Sequence, residues 1–209
     1  MTVIDRGAWP REEHYRFFEP MSNPIYALTF PVDVTNLRAY VKQRGLSFYT
    51  ALVFLVTKSL EDVEAFRLRD RGGTIVRHDR LVPSFTDLKP GSDLFHIVTL
   101  EAGEDLEDFC RRAKALSPTA TGLFVSGPGE WDHDQEVFFT CLPWFPVTGA
   151  LNERDNDPCD AIPRIAWGKW EEKDGRTVLS VSLEANHRLT DGVHVGQFYQ
   201  ALERRLAAL

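Results

Sequence analysis

Leu179-Ser180-Val181-Ser182-Leu183-Glu184-Ala185-Asn186-His187-Arg188-Leu189-Thr190-Asp191-Gly192 is the stretch on which the fold turns. Its first eight residues alternate strictly. Leu179, Val181, Leu183 and Ala185 share one face, and Ser180, Ser182, Glu184 and Asn186 share the other, the period-two pattern of a half-buried strand. His187 falls in phase with the apolar face. Past Asp191-Gly192 the period changes. Val195, Phe198, Tyr199, Leu202 and Leu206 recur at helical spacing, which predicts a last helix. A histidine delivered by a strand end, four residues before an aspartate at a glycine turn, is a candidate general base held by local structure.

Upstream, the pattern predicts several strands with helices interspersed. Residues 5–18 are dense in aromatics and charge; Pro10 just inside a short helical turn, followed by Glu12 and Glu13, suits a helix start, and Arg11 reads as an ordinary solvated arginine. Residues 24–32 alternate as a strand closed off by Pro31. Asp33 or Thr35 can cap a helix that stops at Gly45. Ser47 caps the next helix, where Phe48, Ala51, Leu52, Leu55, Val56 and Leu60 form a stripe broadened by Val53 and Phe54; a helix apolar around most of its circumference is buried. Arg71-Gly72-Gly73 is a turn, and strands follow at 80–86 and 94–101, joined by the turn 89–92. A helix opens at Glu104-Asp105, and Gly127-Pro128-Gly129 marks a loop. Residues 136–142 are a strand, 143–151 an irregular edge or bulged strand, 152–158 a polar loop, and 164–170 another strand. Lys173-Asp174-Gly175 gives a hairpin turn into the opening strand. The expected architecture is an α/β (α+β) two-layer sandwich, a mixed β-sheet covered by helices, in a single domain over 1–209.

Composition removes several function classes. A net charge of -7 with dispersed Lys and Arg speaks against nucleic acid. No apolar run is long enough to span a bilayer, and residues 1–6 lack signal-peptide character, so a cytoplasmic protein is expected. Cys110, Cys141 and Cys159 are odd in number and contain no C-x-x-C, which argues against a disulfide framework or structural zinc.

Three readings compete for His187. His187, Asp191 and His194 would stack as metal ligands on one continuous helix, but the upstream alternation and Gly192 speak against that register. In a structural reading, His187 is satisfied by backbone and Asp191 caps the last helix. In a catalytic reading, a neutral imidazole takes a proton from a hydroxyl or thiol as it attacks a carbonyl.

The stretch His187-Arg188-Leu189-Thr190-Asp191-Gly192-Val193-His194-Val195-Gly196 resembles the H-x-x-x-D-G-(F)-H-V-G signature of the chloramphenicol acetyltransferase family. The shorter H-x-x-x-D-G is shared with acyltransferase cores of 2-oxoacid dehydrogenase complexes and with peptide-synthetase condensation domains. Three further segments narrow the choice. Trp9-Pro10-Arg11-Glu12-Glu13-His14-Tyr15 resembles the family's W-x-R-x-E-H-(F/Y) element, Phe48-Tyr49-Thr50-Ala51 its F-Y-P-A helix start, and Pro143-Trp144-Phe145 before Asn152 its P-W-containing segment. Order and spacing match along nearly the whole chain.

The resemblance implies a CoA-dependent acyltransferase fold. It also implies an O-acetyltransferase that uses acetyl-CoA, or another acyl-CoA, as co-substrate and has no permanently bound cofactor or metal. His187 takes the family's general base position, activating a hydroxyl of chloramphenicol or a related small compound for direct attack on the thioester. Asp191 and Arg11 take the positions of an ion pair that fixes the histidine loop. The family is a homotrimer with active sites between subunits. Lys169 and Trp170 match positions near the CoA site, with Trp170 able to stack on adenine, and Phe18 falls in the acceptor pocket. The family's oxyanion serine aligns with Gly149, next to Thr148, and a threonine that holds a water near the oxyanion aligns with Ala166. The alternative is a divergent member that acts weakly, on another acceptor, or as a non-catalytic trimeric binding protein.

Overall fold

Along the chain, β1 (Thr2–Val3) precedes α1 (Glu12–Phe18), β2 (Ile25–Asp33), α2 (Thr35–Arg44) and α3 (Phe48–Glu61). The hairpin β3 (Leu68–Arg71) and β4 (Thr74–Arg77) comes next, then β5 (Val82–Leu88), β6 (Phe95–Thr99), α4 (Leu106–Leu116) and β7 (Phe124–Ser126). The order ends with β8 (Glu136–Leu142), β9 (Arg164–Gly168), β10 (Glu171–Lys173), β11 (Arg176–Asn186) and α5 (Gly192–Ala207). This computed structural model describes residues 1–89 and 91–209; Pro90, part of the expected turn at 89–92, lies outside the described residues.

The decisive stretch forms β11, the longest strand among the described residues, and it anchors an eight-stranded mixed sheet. β2 pairs with it antiparallel from Ile25↔Asn186 to Asp33↔Val178. On its other side lie β9 and, past the break at Lys169-Trp170, β10. The order continues β9-β8-β5-β6-β7, with parallel steps at β9/β8, β8/β5 and β6/β7. The β10–β11 hairpin turns at Asp174 (φ +51°) and Gly175 (φ +76°), both left-handed, as the expected Asp-Gly turn requires. A smaller three-stranded sheet, β1-β4-β3, carries the Gly72-Gly73 turn.

Helices α2 to α5 cover one face of the large sheet, giving the expected two layers. Leu179, Val181, Leu183 and Ala185 of β11 meet Ile165 and Trp167 of β9, Phe139 of β8 and Phe85 of β5 in one core. α3 runs through its middle, with ten of its fourteen residues buried; Ser47 accepts from Thr50 N–H as its cap. α4 begins on Asp105, whose carboxylate accepts from Asp108 N–H at 2.7 Å.

Three expectations change. The strand at 25–33 runs through Pro31 instead of stopping there. Among the described residues it pairs only with β11, so the absent proline N–H sits on an edge strand. Of the two alternatives for 143–151, the bulged strand drops out and the segment is irregular. The polar face of β11 is buried as well as the apolar one. Ser182, Glu184 and Asn186 lie under the 150–160 loop: Ala150 N–H donates to Ser182 Oγ (3.0 Å), Asn152 N–H and Nδ2 both donate to Glu184 Oε1 (2.7 Å), and Arg154 faces Glu184 Oε2 (3.4 Å). Alternation identified the strand correctly, but a polar face can be buried when a loop supplies partners for every group.

Candidate active site

Asn186 ends β11 and organises the loop beyond it. Its side chain donates to Pro158 O (2.9 Å) and Asp160 O (3.0 Å), and its Oδ1 accepts from Arg188 N–H (2.9 Å). Its carbonyl accepts from Thr190 N–H (3.0 Å) and Thr190 Oγ1 (2.8 Å). His187 N–H donates to Pro24 O at 2.8 Å, one step beyond the strand ladder. The loop from His187 to Asp191 is therefore tight, with its backbone partners assigned residue by residue.

Arg11 closes that loop from outside. It precedes α1, and its side chain is largely buried, not the solvated arginine that local sequence suggests. The guanidinium embraces the Asp191 carboxylate with both terminal nitrogens, at 2.8 Å to Oδ1 for Nη2. It also donates to three loop carbonyls: Arg188 O (3.0 Å), His187 O (2.8 Å) and Thr190 O (3.3 Å). Hydrogen bonding to Arg11 holds Asp191 below the ordinary carboxylate range.

Asp191 is the N-cap of α5, as the structural reading expects, in a capping box: its side chain, which also binds Arg11, faces the N3 backbone N–H, and His194 in the first turn accepts from Asp191 N–H through Nδ1 (2.9 Å). This is the role that Glu or Gln plays in a capping box. Burial, with Arg11 nearby, pushes the His194 imidazole below its ordinary value. His194 is thereby spent on the backbone and does not join a metal set with His187 and Asp191. Among the described residues, the one cluster with metal-ligand spacing is His78, Asp132 and Asp134; both its carboxylates bind Arg71 at 2.7 Å.

The His187 ring is about one-third exposed and lies between two aromatic rings. Phe18, at the end of α1, stacks on it with centroids 4.1 Å apart and planes 14° from parallel. Tyr26 of β2 lies 4.6 Å away at 40°, and its hydroxyl donates to Thr190 Oγ1 (3.3 Å). Burial pushes the Tyr26 phenol up. His187 Nδ1 is 3.2 Å from Asp191 Oδ1, yet it makes no hydrogen bond, because the alignment fails. Ring contacts, not a hydrogen bond, set the imidazole's attitude.

The remaining predicted residues sit elsewhere. Thr148 and Gly149 are exposed, in the loop after β8. A Cβ added at Gly149 would lie 3.6 Å from Thr29 Oγ1, which is itself 2.8 Å from Ser182 Oγ. Ser182 is five residues before His187, about 16 Å along the strand at ~3.3 Å per residue, so one chain does not bring Gly149 to His187. Ala166 pairs with Ser182 beneath the same loop. Lys169 is exposed and its N–H donates to Phe145 O (2.8 Å); Trp170 already carries the Arg38 guanidinium over one face, 3.9 Å from the centroid. A cavity of about 980 Å³ opens beside β5, β6 and β8. Phe95, Phe124, Phe138 and Trp144 line it together with Asp87, Asp93, Glu136 and Glu153, and His187 is not in its wall.

Sequence reasoning missed Asn186, Tyr26, Thr29 and Arg188. Only the unbroken alternation up to Asn186 hinted that this side chain is turned toward other parts of the chain; Tyr26 and Thr29 reach the site by long-range packing, and Arg188, next to His187 in sequence, finds its partners the same way.

A family model for chloramphenicol acetyltransferase matches residues 1–203. Chloramphenicol acetyltransferase 2 of Escherichia coli is 26% identical over 206 residues, covering 97% of this chain and 95% of the relative. The Bacillus pumilus chloramphenicol acetyltransferase is 24% identical, covering 92% and 87%. A solved chloramphenicol acetyltransferase superposes with a TM-score of 0.87 at 21% identity, over 98% of this chain and 99% of that one. The cubic core of a pyruvate dehydrogenase multienzyme complex shares the fold more distantly, with a TM-score of 0.65 at 17% identity over 94% and 86%. With this fold, and with a family match running almost end to end, the chain belongs to the chloramphenicol acetyltransferase family of acyltransferase enzymes.

Proposed function

We propose that the protein is an acetyl-CoA-dependent O-acetyltransferase in which His187 is the general base, with residues 1–209 forming a single acyltransferase domain. The observation that carries this reading is the Arg11 clamp: a bidentate ion pair and three carbonyl bonds hold the loop that presents a partly exposed imidazole. An acceptor hydroxyl gives its proton to His187 as its oxygen attacks the thioester carbonyl. The tetrahedral oxyanion then collapses, expelling the CoA thiolate, which is protonated as the acetyl ester forms. Arg11 and Asp191 touch neither substrate; they hold the base.

The site is shared between subunits of a homotrimer. His187 lies at one end of β11, while the aromatic cavity and Gly149 lie away from it on the same chain. A neighbouring copy that supplies its cavity to this histidine completes the reaction centre. Where the family's serine is replaced by Gly149, Thr29 is the oxyanion donor. Ser182 Oγ accepts from Ala150 N–H and lies 2.8 Å from Thr29 Oγ1, a contact in which either hydroxyl can donate; with Ser182 as donor, the exposed Thr29 hydroxyl is free to donate beside the glycine.

The assay is release of free thiol from acetyl-CoA with chloramphenicol, run alongside His187→Ala. Release that His187→Ala abolishes supports the reading; release no higher than in that variant sinks chloramphenicol as acceptor. The cavity favours a second acceptor class. Four carboxylates outnumber Arg164 and His133 among the aromatic walls, a balance that suits a hydroxyl compound that also carries a positive charge, so the panel pairs amino alcohols with their neutral N-acetyl counterparts. Binding without turnover of any acceptor would favour the non-catalytic trimer.

A further inference from the structure

Arg188 comes directly after His187, and its side chain runs into the interior, away from the cleft. Only 5% of that side chain is exposed, and its partner Asp70 is fully buried; Nη1 donates to Asp70 Oδ2 at 3.1 Å. The same Asp70 oxygen accepts from the buried Tyr15 hydroxyl at 2.9 Å, while Asp70 Oδ1 accepts from Gly73 N–H at 2.7 Å. Arg188 Nη2 donates to Glu19 O. Three parts of the chain meet here: α1, the β3–β4 hairpin and the His187 loop.

Stability alone does not account for such a triad. A buried ion pair can often be replaced by apolar side chains of similar volume without loss, because desolvation cancels much of the attraction. What the pair does supply is a fixed spatial relation. Arg188 is covalently next to His187 and hydrogen-bonds the carbonyl of Glu19, the residue after Phe18. Phe18 is the ring stacked on His187. Since His187 Nδ1 makes no hydrogen bond, that stack, together with the tilted Tyr26 ring, orients the imidazole.

We infer that Arg188, Asp70 and Tyr15 are positioning residues that set the Phe18–His187 stack and so aim the imidazole. The inference rests on His187 being the base, but its test does not need turnover. The double variant Arg188→Met/Asp70→Leu removes the pair without leaving a lone buried charge, and Tyr15→Phe removes one hydroxyl. In histidine-labelled protein, ring currents from Phe18 should move the carbon-bound ring protons of His187 upfield, with Phe18→Ala as the unstacked reference. The double variant should move these signals most of the way to the Phe18→Ala positions, and Tyr15→Phe should move them partway. With an accepted substrate, kcat should fall about 10–100-fold in the double variant, the scale of a misplaced reacting group, with KM for acetyl-CoA unchanged. His187 signals at wild-type positions in the folded double variant, or in Tyr15→Phe should the double variant not fold, would overturn the inference. Absence of turnover in the wild type with every acceptor would count against acyl transfer instead, and the resonance shifts would still decide the role of the triad.

Discussion

At the scale of single residues, Arg11 makes the sharpest case for what a sequence hides. Locally it is a charged residue ahead of an amphipathic turn, and nothing within ten residues of it is its partner; its contacts lie some 180 positions away. Only the shared motif pairing with Asp191 made it visible. Arg11→Ala leaves a partly buried carboxylate and three carbonyls without their donor. The loss should be about 2–3 kcal/mol, below that of a fully buried pair because Asp191 keeps some solvent. Melting temperature and kcat should fall together, and an unchanged melting temperature would argue against the clamp. Thr29 lies in a strand that alternation does identify, but its closeness to Gly149 depends on how a loop from 120 residues away settles. Thr29→Val should lower kcat about 10²–10³-fold with KM little changed. A variant with wild-type kcat would return the oxyanion role to Gly149 N–H or a water.

At the scale of elements, helices and strands were mostly legible because their periods are strong, as in α3, α5 and β11. The helix start and its Asp191 cap were legible, but not the rest of the mechanism: the Asp191 carboxylate also binds Arg11, and His194 stands where a capping box usually has Glu or Gln. That substitution makes the N-terminus of α5 sensitive to pH. The folded protein holds His194 below its ordinary value, so as pH falls below about 6.5 the unfolded chain takes up the proton first. This contribution to stability is complete above that pH and is lost as pH drops through the lower folded value. His194→Gln keeps an acceptor for Asp191 N–H without titrating. Melting temperatures between pH 7.5 and 5 should fall less steeply in His194→Gln than in the parent; the slope should shrink but persist, because burial depresses His78 too. Equal slopes would show that the cap does not titrate. The loop at 143–151 resisted reading for a related reason. Its path is set by a close approach to β9, where a Cβ on Gly168 would come within 2.7 Å of Phe145 O and 2.8 Å of Val147 N, and no local period records such a contact.

At the scale of the whole molecule, the two-layer architecture was legible from alternating strand and helix signals, and only the burial of both faces of β11 escaped. A polar face gives the same pattern whether it meets water or a loop with matched donors. The functional unit is larger than one chain in the proposed scheme. Light scattering in solution should give three times the 23.8 kDa chain mass. Mixed assemblies of His187→Ala and Thr29→Val subunits should recover part of the activity that each lacks alone, since some interfaces would pair an intact histidine with an intact threonine. No recovery in verified mixed assemblies would place both groups in a single-chain site. Pro31 bears on how such assemblies stop. It interrupts the row of donors on β2, a strand that among the described residues has only one neighbour, so a foreign strand meeting that border finds a rung missing. Growth of the sheet from copy to copy into a fibre is hindered at that margin, which favours association through surfaces that close on themselves.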